Sequence, residues 1–533
     1  MKVESDLQQM FVVVPFLLPL GAVVLVIAVI FNIIRERLSS LSSLPNAGIG
    51  APYSRLLWAF PTEFRGLVTL DLPRLHEKLG PLVRIGPNEV SFYSLDIYDA
   101  VHKVGSKFKK DPRVYGEFVQ GGNPALFSIT DPAEHSKRRR LMGQLFNRSQ
   151  MHKLEGLMLH HISSFVQLLA KSKHEVDLTP ACRALEADII SDFSFGHTIG
   201  AIAAYSQGEQ LTMVAKNDEK ATWMPLLVSF PGLCDLWERL ERLVFSATGI
   251  RTAYSSTMHQ FHSWAESSWR STLSIGSVQE KPPSPFPNLV ATMVNSGLPP
   301  LTALSEATEN LGPGTDTTSA SLAHILWALA HNSAFQEELF KDLAHVSFSS
   351  DMTTLENIPK LRACVKEGIR WTGAAAAMLP RIVPEGGVEF YGHFIPEGTV
   401  LSSSPIWYLH DHTAFPGPKE FDPYRWLTTD GLTTSEDALR DRFYIPFSKG
   451  ANVCMGAHFA YLELYLSLSQ IIRNFRIQVH PSLQQQQQQH PYYFPQGTSP
   501  PPAAFWRVGL PARREWVAAV PTERLAVTLQ PRA

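Results

Sequence analysis

The sequence predicts a mainly helical protein with a minor amount of β-sheet, a fold of the α+β class. Residues 132–280 carry apolar side chains with mostly helical spacing, and a long helix is predicted at 305–331. Short strand-like runs surround turns at 83–92 and again within 381–400. The chain of 533 residues is long enough to bury a large core, and its 39 prolines predict many helix ends and long ordered loops.

The composition excludes several classes of protein. Hydrophobic residues make up 44% of the chain and charged residues 18%, which excludes a disordered or coiled-coil chain. A formal net charge of -2 gives no general argument for nucleic-acid binding. The cysteines lie far apart without a CxxC pair, so we expect neither a disulfide framework nor a zinc finger. They are Cys182, Cys234, Cys364 and Cys454.

An apolar segment near the N-terminus predicts a membrane anchor. No charge occurs between Asp6 and Arg35, and the run at 10–34 exceeds the length of about 20 apolar residues that spans a bilayer as a helix. A cleavable signal is the alternative, but its apolar core is roughly 7–15 residues long. Because Arg35 and Arg37 follow the run, residues 1–9 are expected in the lumen and the bulk of the chain in the cytosol.

The rest of the chain divides into a linker and one large region. Residues 35–52 include a Ser-, Pro- and Gly-rich stretch and are predicted to be a short, stiff linker, whereas 53–533 shows no clear internal boundary. Six glutamines followed by a Pro-rich stretch predict a low-complexity surface loop at 484–502. Further helices are predicted at 333–346, 361–371 and 457–473, and a final strand at 525–529.

The strongest chemical signal is a glycine-bearing loop that presents one cysteine just before a predicted helix. Phe447, Gly450, Cys454 and Gly456 follow the spacing F-x-x-G-x-x-x-C-x-G. A thiolate is favoured at a helix N-terminus, and the glycines permit the close approach of a large flat ligand. A buried inert cysteine is the commoner reading of a lone cysteine. A chance match to the full spacing, however, is on the order of one in a thousand.

This loop resembles the haem loop of the cytochrome P450 family, and other matches follow in the family's order along nearly the whole chain. The resemblance implies a haem-thiolate monooxygenase of one shared fold, with residues 53–533 as its catalytic domain. It implies haem b as the cofactor, Cys454 as the axial iron ligand, and Phe447, Gly450 and Gly456 in haem binding. A thiolate ligand pushes electron density onto haem iron and favours O–O cleavage.

A Glu-x-x-Arg pair, Glu367 and Arg370, is similar to the family's pair on a helix. At i and i+3 the two side chains share a helix face, although most such pairs are surface contacts. Arg425 lies in a segment, FDPYRW, that resembles the family's Phe-x-Pro-x-Arg-Phe/Trp. The resemblance implies that the three form a buried network bracing the haem loop, with a structural role.

The long predicted helix contains a Gly-Thr-Asp-Thr-Thr segment. The resemblance assigns Asp316 and Thr317 to proton delivery and Gly314 to an oxygen groove, because an acid and an alcohol can relay the protons needed before O–O cleavage. A mid-helix kink that eases packing is the plainer reading. Pro313 stands where the family prefers Ala or Gly, and it removes a helical hydrogen bond to Glu309, so altered oxygen handling stays open.

The resemblance assigns the haem propionates to His135 and Arg139, one turn apart on a helix, and to Arg381. Asn452 is also at a propionate-contacting position, but the family usually has Arg there and sometimes His. Asparagine can donate a hydrogen bond but cannot neutralise a carboxylate. The sequence therefore predicts weaker haem retention than in an Asn452→Arg variant.

A basic run at 137–140, together with Lys449, predicts a patch for an acidic reductase domain, the alternative being a solvated helix face. No flavin- or nicotinamide-binding region is left in the chain, so electrons are expected from a separate NADPH-cytochrome P450 reductase, with cytochrome b5 open as a second donor. The expected location is the endoplasmic reticulum membrane, as a single-pass protein whose catalytic domain faces the cytosol.

The predicted reaction is insertion of one oxygen atom from O2 into an apolar small molecule that enters from the membrane. The amino-acid sequence resembles those of fungal family members that hydroxylate or epoxidise secondary metabolites such as polyketides, terpenoids or alkaloids. Desaturation, ring rearrangement and oxidative coupling are the alternatives. A non-catalytic, haem-poor binding protein is a remote alternative, motivated by Asn452 and Pro313.

Overall fold

The structure is a computed structural model that describes residues 23, 26, 27, 29–119, 122–171, 175–215, 219–275, 284–480 and 507–532. Most of the predicted anchor at 10–34 and all of the predicted loop at 484–502 lie outside these residues. Residues 29–34, the described end of the anchor, are helical, and their large apolar side chains are exposed. Across the described ranges, no helix combines the length and the apolar content needed to cross a bilayer.

The protein is mainly helical with short strands, which confirms the predicted class. The long helix begins a few residues earlier than predicted because a proline suits the first turn of a helix. The α-helices span Ala59–Phe64, Val68–Leu79, Leu95–His102, Pro112–Tyr115, Pro132–Gly143, Glu155–Lys171, Leu178–Phe195, Ala201–Ser206, Thr212–Ala215, Glu219–Ser229, Pro231–Thr248, Ala253–Thr272, Leu289–Asn295, Pro300–Ala330, Ser333–His345, Met352–Glu356, Pro359–Thr372, Pro405–Leu409, Ala438–Phe443 and Ala457–Asn474.

The strands form several small sheets. Their bounds are β1 Leu82–Gly86, β2 Glu89–Phe92, β3 Lys109–Lys110, β4 Val176–Asp177, β5 Arg381–Ile382, β6 Val388–Phe390, β7 His393–Ile395, β8 Val400–Ser402, β9 Glu420–Phe421, β10 Phe475–Val479, β11 Val508–Gly509, β12 Arg513–Glu515, β13 Ala519–Pro521 and β14 Ala526–Pro531. One sheet has the order β1-β2-β8-β5-β3, with β2 and β8 parallel and the other neighbours antiparallel. A second has the order β10-β14-β4, and β6–β7, β9–β11 and β12–β13 are pairs.

The helix Pro300–Ala330 runs through the main core and packs along Leu178–Phe195. The helix is unbroken at Pro313. A Cβ on Gly314 would lie only 2.7 Å from Cγ1 of Ile190, so glycine is needed for the close approach of the two helices. The structure therefore gives Gly314 a packing role.

A buried ionic network ties the helix Pro359–Thr372 to the segment after β9. Nε and Nη2 of Arg370 each donate to the Glu367 carboxylate at 2.8 Å, and both residues are fully buried. Arg425 Nε and Trp426 Nε1 donate to the same carboxylate at 3.1 and 3.0 Å. Burial raises the pKa of Glu367, but the two arginines outweigh it and the net pKa lies below the ordinary value. The structure thus places the three predicted residues in one network.

Glu367→Gln keeps the shape of the side chain but leaves two arginines without their buried counter-charge. We expect the free energy of unfolding to fall by about 3–5 kcal/mol in urea denaturation. Glu266→Gln is the control, because Glu266 pairs with Arg270 on the exposed surface, and it should change stability by about 0.5 kcal/mol or less. A Glu367→Gln protein within about 1 kcal/mol of wild type would contradict the structural role of the network.

Two glutamic acids meet in the core between the helices Leu178–Phe195 and Ala457–Asn474. Glu186 and Glu463 are each 1% exposed and are hydrogen bonded to each other. Burial raises both pKa values, that of Glu463 to about 7. At neutral pH the pair therefore retains a proton. Sequence reasoning missed this pair because the two positions are far apart in the chain.

The acid pair is expected to lower stability as the pH rises. Unfolded, Glu463 ionises near pH 4.5, whereas folded it holds its proton up to about pH 7, so the free energy of unfolding falls across this window. Glu463→Gln should therefore gain stability relative to wild type from pH 4.5 to about 7, measured by thermal unfolding. Glu337→Gln should show the opposite sign at lower pH. Because a hydrogen bond from Arg532 lowers the pKa of Glu337 below 4.5, this variant should lose stability relative to wild type as the pH rises toward 4.5 and show a constant difference above it. A Glu463→Gln difference that stays constant with pH would refute the shared proton.

Candidate active site

The segment from Phe447 to Gly456 forms the loop that carries Cys454. The Cys454 N–H donates to the carbonyl of Phe447 at 2.9 Å and closes the loop. Gly450 has a φ of 68°, and a Cβ there would lie 1.8 Å from the carbonyl oxygen of His102. Both the conformation and the close contact therefore require glycine at this position.

The Cys454 thiol is surrounded by protein but keeps a solvent-accessible side, whereas Cys182 and Cys364 are buried. Burial raises the pKa of this thiol above its ordinary value, and the Gly456 N–H and Arg139 offset only part of that rise. The helix Ala457–Asn474 begins three residues later, and a helix N-terminus also favours a thiolate. The sulfur therefore has the access that a metal ligand needs, and these groups reduce the cost of its thiolate form.

The structure brings three predicted site residues, His135, Arg139 and Arg381, into one electrostatic cluster. His135 is 7% exposed and Arg381 is 2% exposed. Burial, followed by Lys110, Arg139 and Arg381, lowers the pKa of His135 to about 4. Because Arg139 also lowers the pKa of Cys454, the cluster lies beside the cysteine loop.

The arginines of this cluster lack a negative partner within the described residues. Neither Arg139 nor Arg381 forms an ion pair with a carboxylate there. Nη1 of Arg381 instead donates to the Tyr115 hydroxyl at 2.6 Å and to the Pro380 carbonyl at 2.9 Å. Charged side chains are almost never fully buried unless they are paired. The site therefore suits a ligand with negative groups.

Asn452 of the cysteine loop and two residues outside the family-like motifs, His102 and Lys110, also lie in this region. Asn452 lies in a 3₁₀ turn, Gly450–Asn452, and its buried Oδ1 has no hydrogen-bond partner in the described part of the chain. His102 is 2% exposed and contacts this turn, and its ring nitrogens likewise lack a partner there. Sequence reasoning missed His102 and Lys110, because only the pairing of β3 with β5 places Lys110 beside Arg381.

The two predicted proton-delivery residues lie on the helix Pro300–Ala330. Thr317 Oγ1 donates to the Pro313 carbonyl at 3.0 Å. Asp316 Oδ1 lies 3.2 Å from Nη2 of Arg183, and both side chains are largely buried. Arg183 is thus a site residue that sequence reasoning missed, since no spacing rule links two residues on different helices.

The predicted basic patch is smaller than the run at 137–140. Arg138 turns into the fold and forms an ion pair with Glu306, which is 2% exposed. Lys449 forms an ion pair with Asp99 at 2.9 Å. The first and last residues of the run remain exposed. The predicted patch therefore does not include Arg138, because a buried carboxylate binds it.

These donors fit an iron porphyrin with carboxylate groups. Cys454 offers one accessible sulfur, and the cluster that contains Arg139 and Arg381 offers positive charge without a carboxylate partner in the described residues. A Cβ on Gly456 would lie 3.9 Å from the sulfur, in van der Waals contact, so this glycine leaves the space beside the sulfur open. Asn452 fits only as a hydrogen-bond donor, because its amide carries no charge.

Comparison with known proteins agrees with this fit. A family model for cytochrome P450 matches residues 56–505. Cytochrome P450 monooxygenase macH of Penicillium terrestre is 28% identical over 81% of this chain and 85% of its own. Cytochrome P450 monooxygenase BOT1 of Botryotinia fuckeliana is 28% identical over 79% and 82%. Fusicoccadiene C-8 hydroxylase of Alternaria brassicicola is 27% identical over 81% and 84%.

The family match covers most of the chain. The cytochrome P450 family implies haem iron held by a cysteine thiolate, and the residues around Cys454 fit this group. The chain therefore belongs to the cytochrome P450 family and is a haem-thiolate monooxygenase.

Proposed function

We propose that the protein is a membrane-anchored monooxygenase that carries haem b and inserts one oxygen atom from O2 into an apolar small molecule. The substrate class is a fungal secondary metabolite, a polyketide, terpenoid or alkaloid, which the enzyme hydroxylates or epoxidises. One observation carries the proposal: an accessible thiol lies near Arg139, which shares a cluster with Arg381, and neither arginine has a carboxylate partner in the described residues. The names of the fungal relatives, monooxygenases and a hydroxylase, support the reaction class.

The residues of the cysteine loop would set the position and charge of the cofactor. Bound haem supplies dioxygen activation at its thiolate-ligated iron. Cys454 would hold the iron, with the Gly456 N–H and Arg139 favouring the thiolate form. Arg139 and Arg381 would orient the group by pairing with its carboxylates, with His135 as a further contact.

Asp316 and Thr317 would move protons to the reaction centre. The hydroxyl of Thr317 donates to the Pro313 carbonyl, so it would rotate away from this carbonyl to pass its own proton on while its oxygen takes one from a neighbouring donor. Arg183 would hold the Asp316 carboxylate in place through their ion pair. Such a positioned acid typically contributes 10²–10⁴-fold to a rate.

Two apolar features support membrane attachment: the segment at 10–34 and an exposed stripe on one helix. The sequence at 10–34 is long enough to span a bilayer, and the two arginines that follow it favour a single-pass protein of the endoplasmic reticulum with its catalytic domain in the cytosol. The helix Pro231–Thr248 adds an exposed apolar stripe with helical spacing, typical of a helix that lies in a membrane interface. The stripe consists of Leu233, Leu236, Trp237, Leu240, Leu243 and Val244.

Electrons would come from NADPH through a separate cytochrome P450 reductase, with cytochrome b5 as an optional second donor. The exposed Lys137 and Arg140, on the helix that also carries Arg139, supply positive charge for an acidic partner.

Cys454→Ala tests the proposed function in a host that also expresses a reductase. We expect the wild-type membrane fraction to show the thiolate-type Soret band in the reduced carbon monoxide difference spectrum and to form an oxidised metabolite. Cys454→Ala should lose both, because the axial ligand is gone. Cys234→Ala removes another, partly exposed thiol and should keep both. A wild-type protein without this band would overturn the enzyme reading, and a band only in the soluble fraction would overturn the membrane anchor.

Labelled O2 in the same experiment separates the alternative reactions. One labelled oxygen atom in the product supports hydroxylation or epoxidation. A product without label supports desaturation or oxidative coupling and overturns the insertion reaction.

Asp316→Asn keeps the size of the side chain but removes the carboxylate that can take up and release a proton. We expect product formation to fall about 10²-fold, with the carbon monoxide spectrum unchanged, because proton delivery and not haem binding is affected. Arg183→Lys retains the positive partner and should lose much less activity. Product formation by Asp316→Asn within about twofold of wild type would remove Asp316 from the proton path.

A further inference from the structure

Lys110 is a buried lysine that no motif in the sequence singled out. It lies on β3, paired in register with Arg381 on β5, and is 7% exposed. Its Nζ donates to the carbonyls of Leu126 and Phe127 at 3.1 and 2.7 Å. An ammonium group has three N–H donors, so one donor is left for a further acceptor.

No carboxylate pairs with this ammonium group within the described residues. Glu306 and Glu309 lie within electrostatic range, but Glu306 binds Arg138, and Glu309 accepts from the backbone N–H of Phe127. Burial, followed by Arg381, lowers the pKa of Lys110 to about 7. A nearby anion would favour its charged form.

Lys110 belongs to the same cluster of positive charge as the predicted propionate contacts. The Tyr115 ring lies under both Lys110 and Arg381, 5.3 and 5.2 Å from its centroid. Lys110, Arg139 and Arg381 all lower the pKa of His135. Cations gathered in one buried region repel one another unless an anion lies among them.

We propose that Lys110 supplies the positive charge that Asn452 lacks, as a third cation that binds the carboxylates of the haem. The proposal rests on the proposed function, because that function places haem b beside Cys454. The competing role is structural, in which Lys110 only holds the carbonyls of Leu126 and Phe127.

Haem transfer from the purified holoprotein to excess apomyoglobin separates these roles. Lys110→Met removes the charge at similar length, and we expect transfer to become about tenfold faster, the size of one charge-assisted hydrogen bond. Adding Asn452→Arg to Lys110→Met should restore most of the wild-type rate, because the new cation replaces the lost one. Lys109→Met, at the exposed neighbour on the same strand, should not change the rate.

The other possible results distinguish haem binding by Lys110 from a purely structural role. A Lys110→Met rate equal to wild type removes Lys110 from haem binding. Fast transfer that Asn452→Arg does not restore assigns Lys110 a structural role only. If Lys110→Met does not fold, Asn452→Arg alone decides: transfer slowed less than about threefold supports the proposal, and slower transfer than that overturns it. Wild-type protein purified without haem would overturn the proposed function as well, whereas the other results concern Lys110 alone.

Discussion

Positive charge buried near one thiol is the constraint on which the function of this protein depends. Arg139 and Arg381 lose much of their hydration without gaining a carboxylate partner among the described residues, and Lys110 is in the same situation. Such an arrangement is unfavourable by itself, because burial penalises each charge and like charges repel. It becomes favourable when a dianionic group lies among the cations.

The surrounding fold holds the cations and the cysteine loop in place by packing and strand pairing, which are independent of the reaction. Gly450 allows the cysteine loop to press against His102, and the pairing of β3 with β5 sets Lys110 beside Arg381. The Glu367 network holds the segment before the cysteine loop against a buried helix. Here Arg370 and Arg425 donate to one carboxylate and to backbone carbonyls. The contrast between this satisfied network and the unsatisfied cluster near the thiol distinguishes a structural site from a ligand site.

Local features of both fold and site were predictable from the sequence. The apolar spacing of the long helices and the cysteine loop are each encoded within a few neighbouring residues, and the structure has these elements close to the predicted bounds. Contacts between distant segments were not predictable. From the one helix Leu178–Phe195, Arg183 reaches Asp316 on the long helix and Glu186 reaches Glu463 on the helix Ala457–Asn474. Arg138 looked like its exposed neighbours in the run at 137–140, because sequence does not show which side chain of a basic helix turns toward a buried carboxylate.

A crystal structure of the purified, haem-loaded protein tests the central claim most directly, since it shows which side chains meet the iron and the carboxylates. The account predicts Cys454 sulfur bound to the iron, with Arg139, Arg381 and Lys110 within hydrogen-bond distance, about 2.7–3.2 Å, of carboxylate oxygens. A different axial ligand, or carboxylates that face solvent or other residues while these three cations stay unpaired, would contradict it.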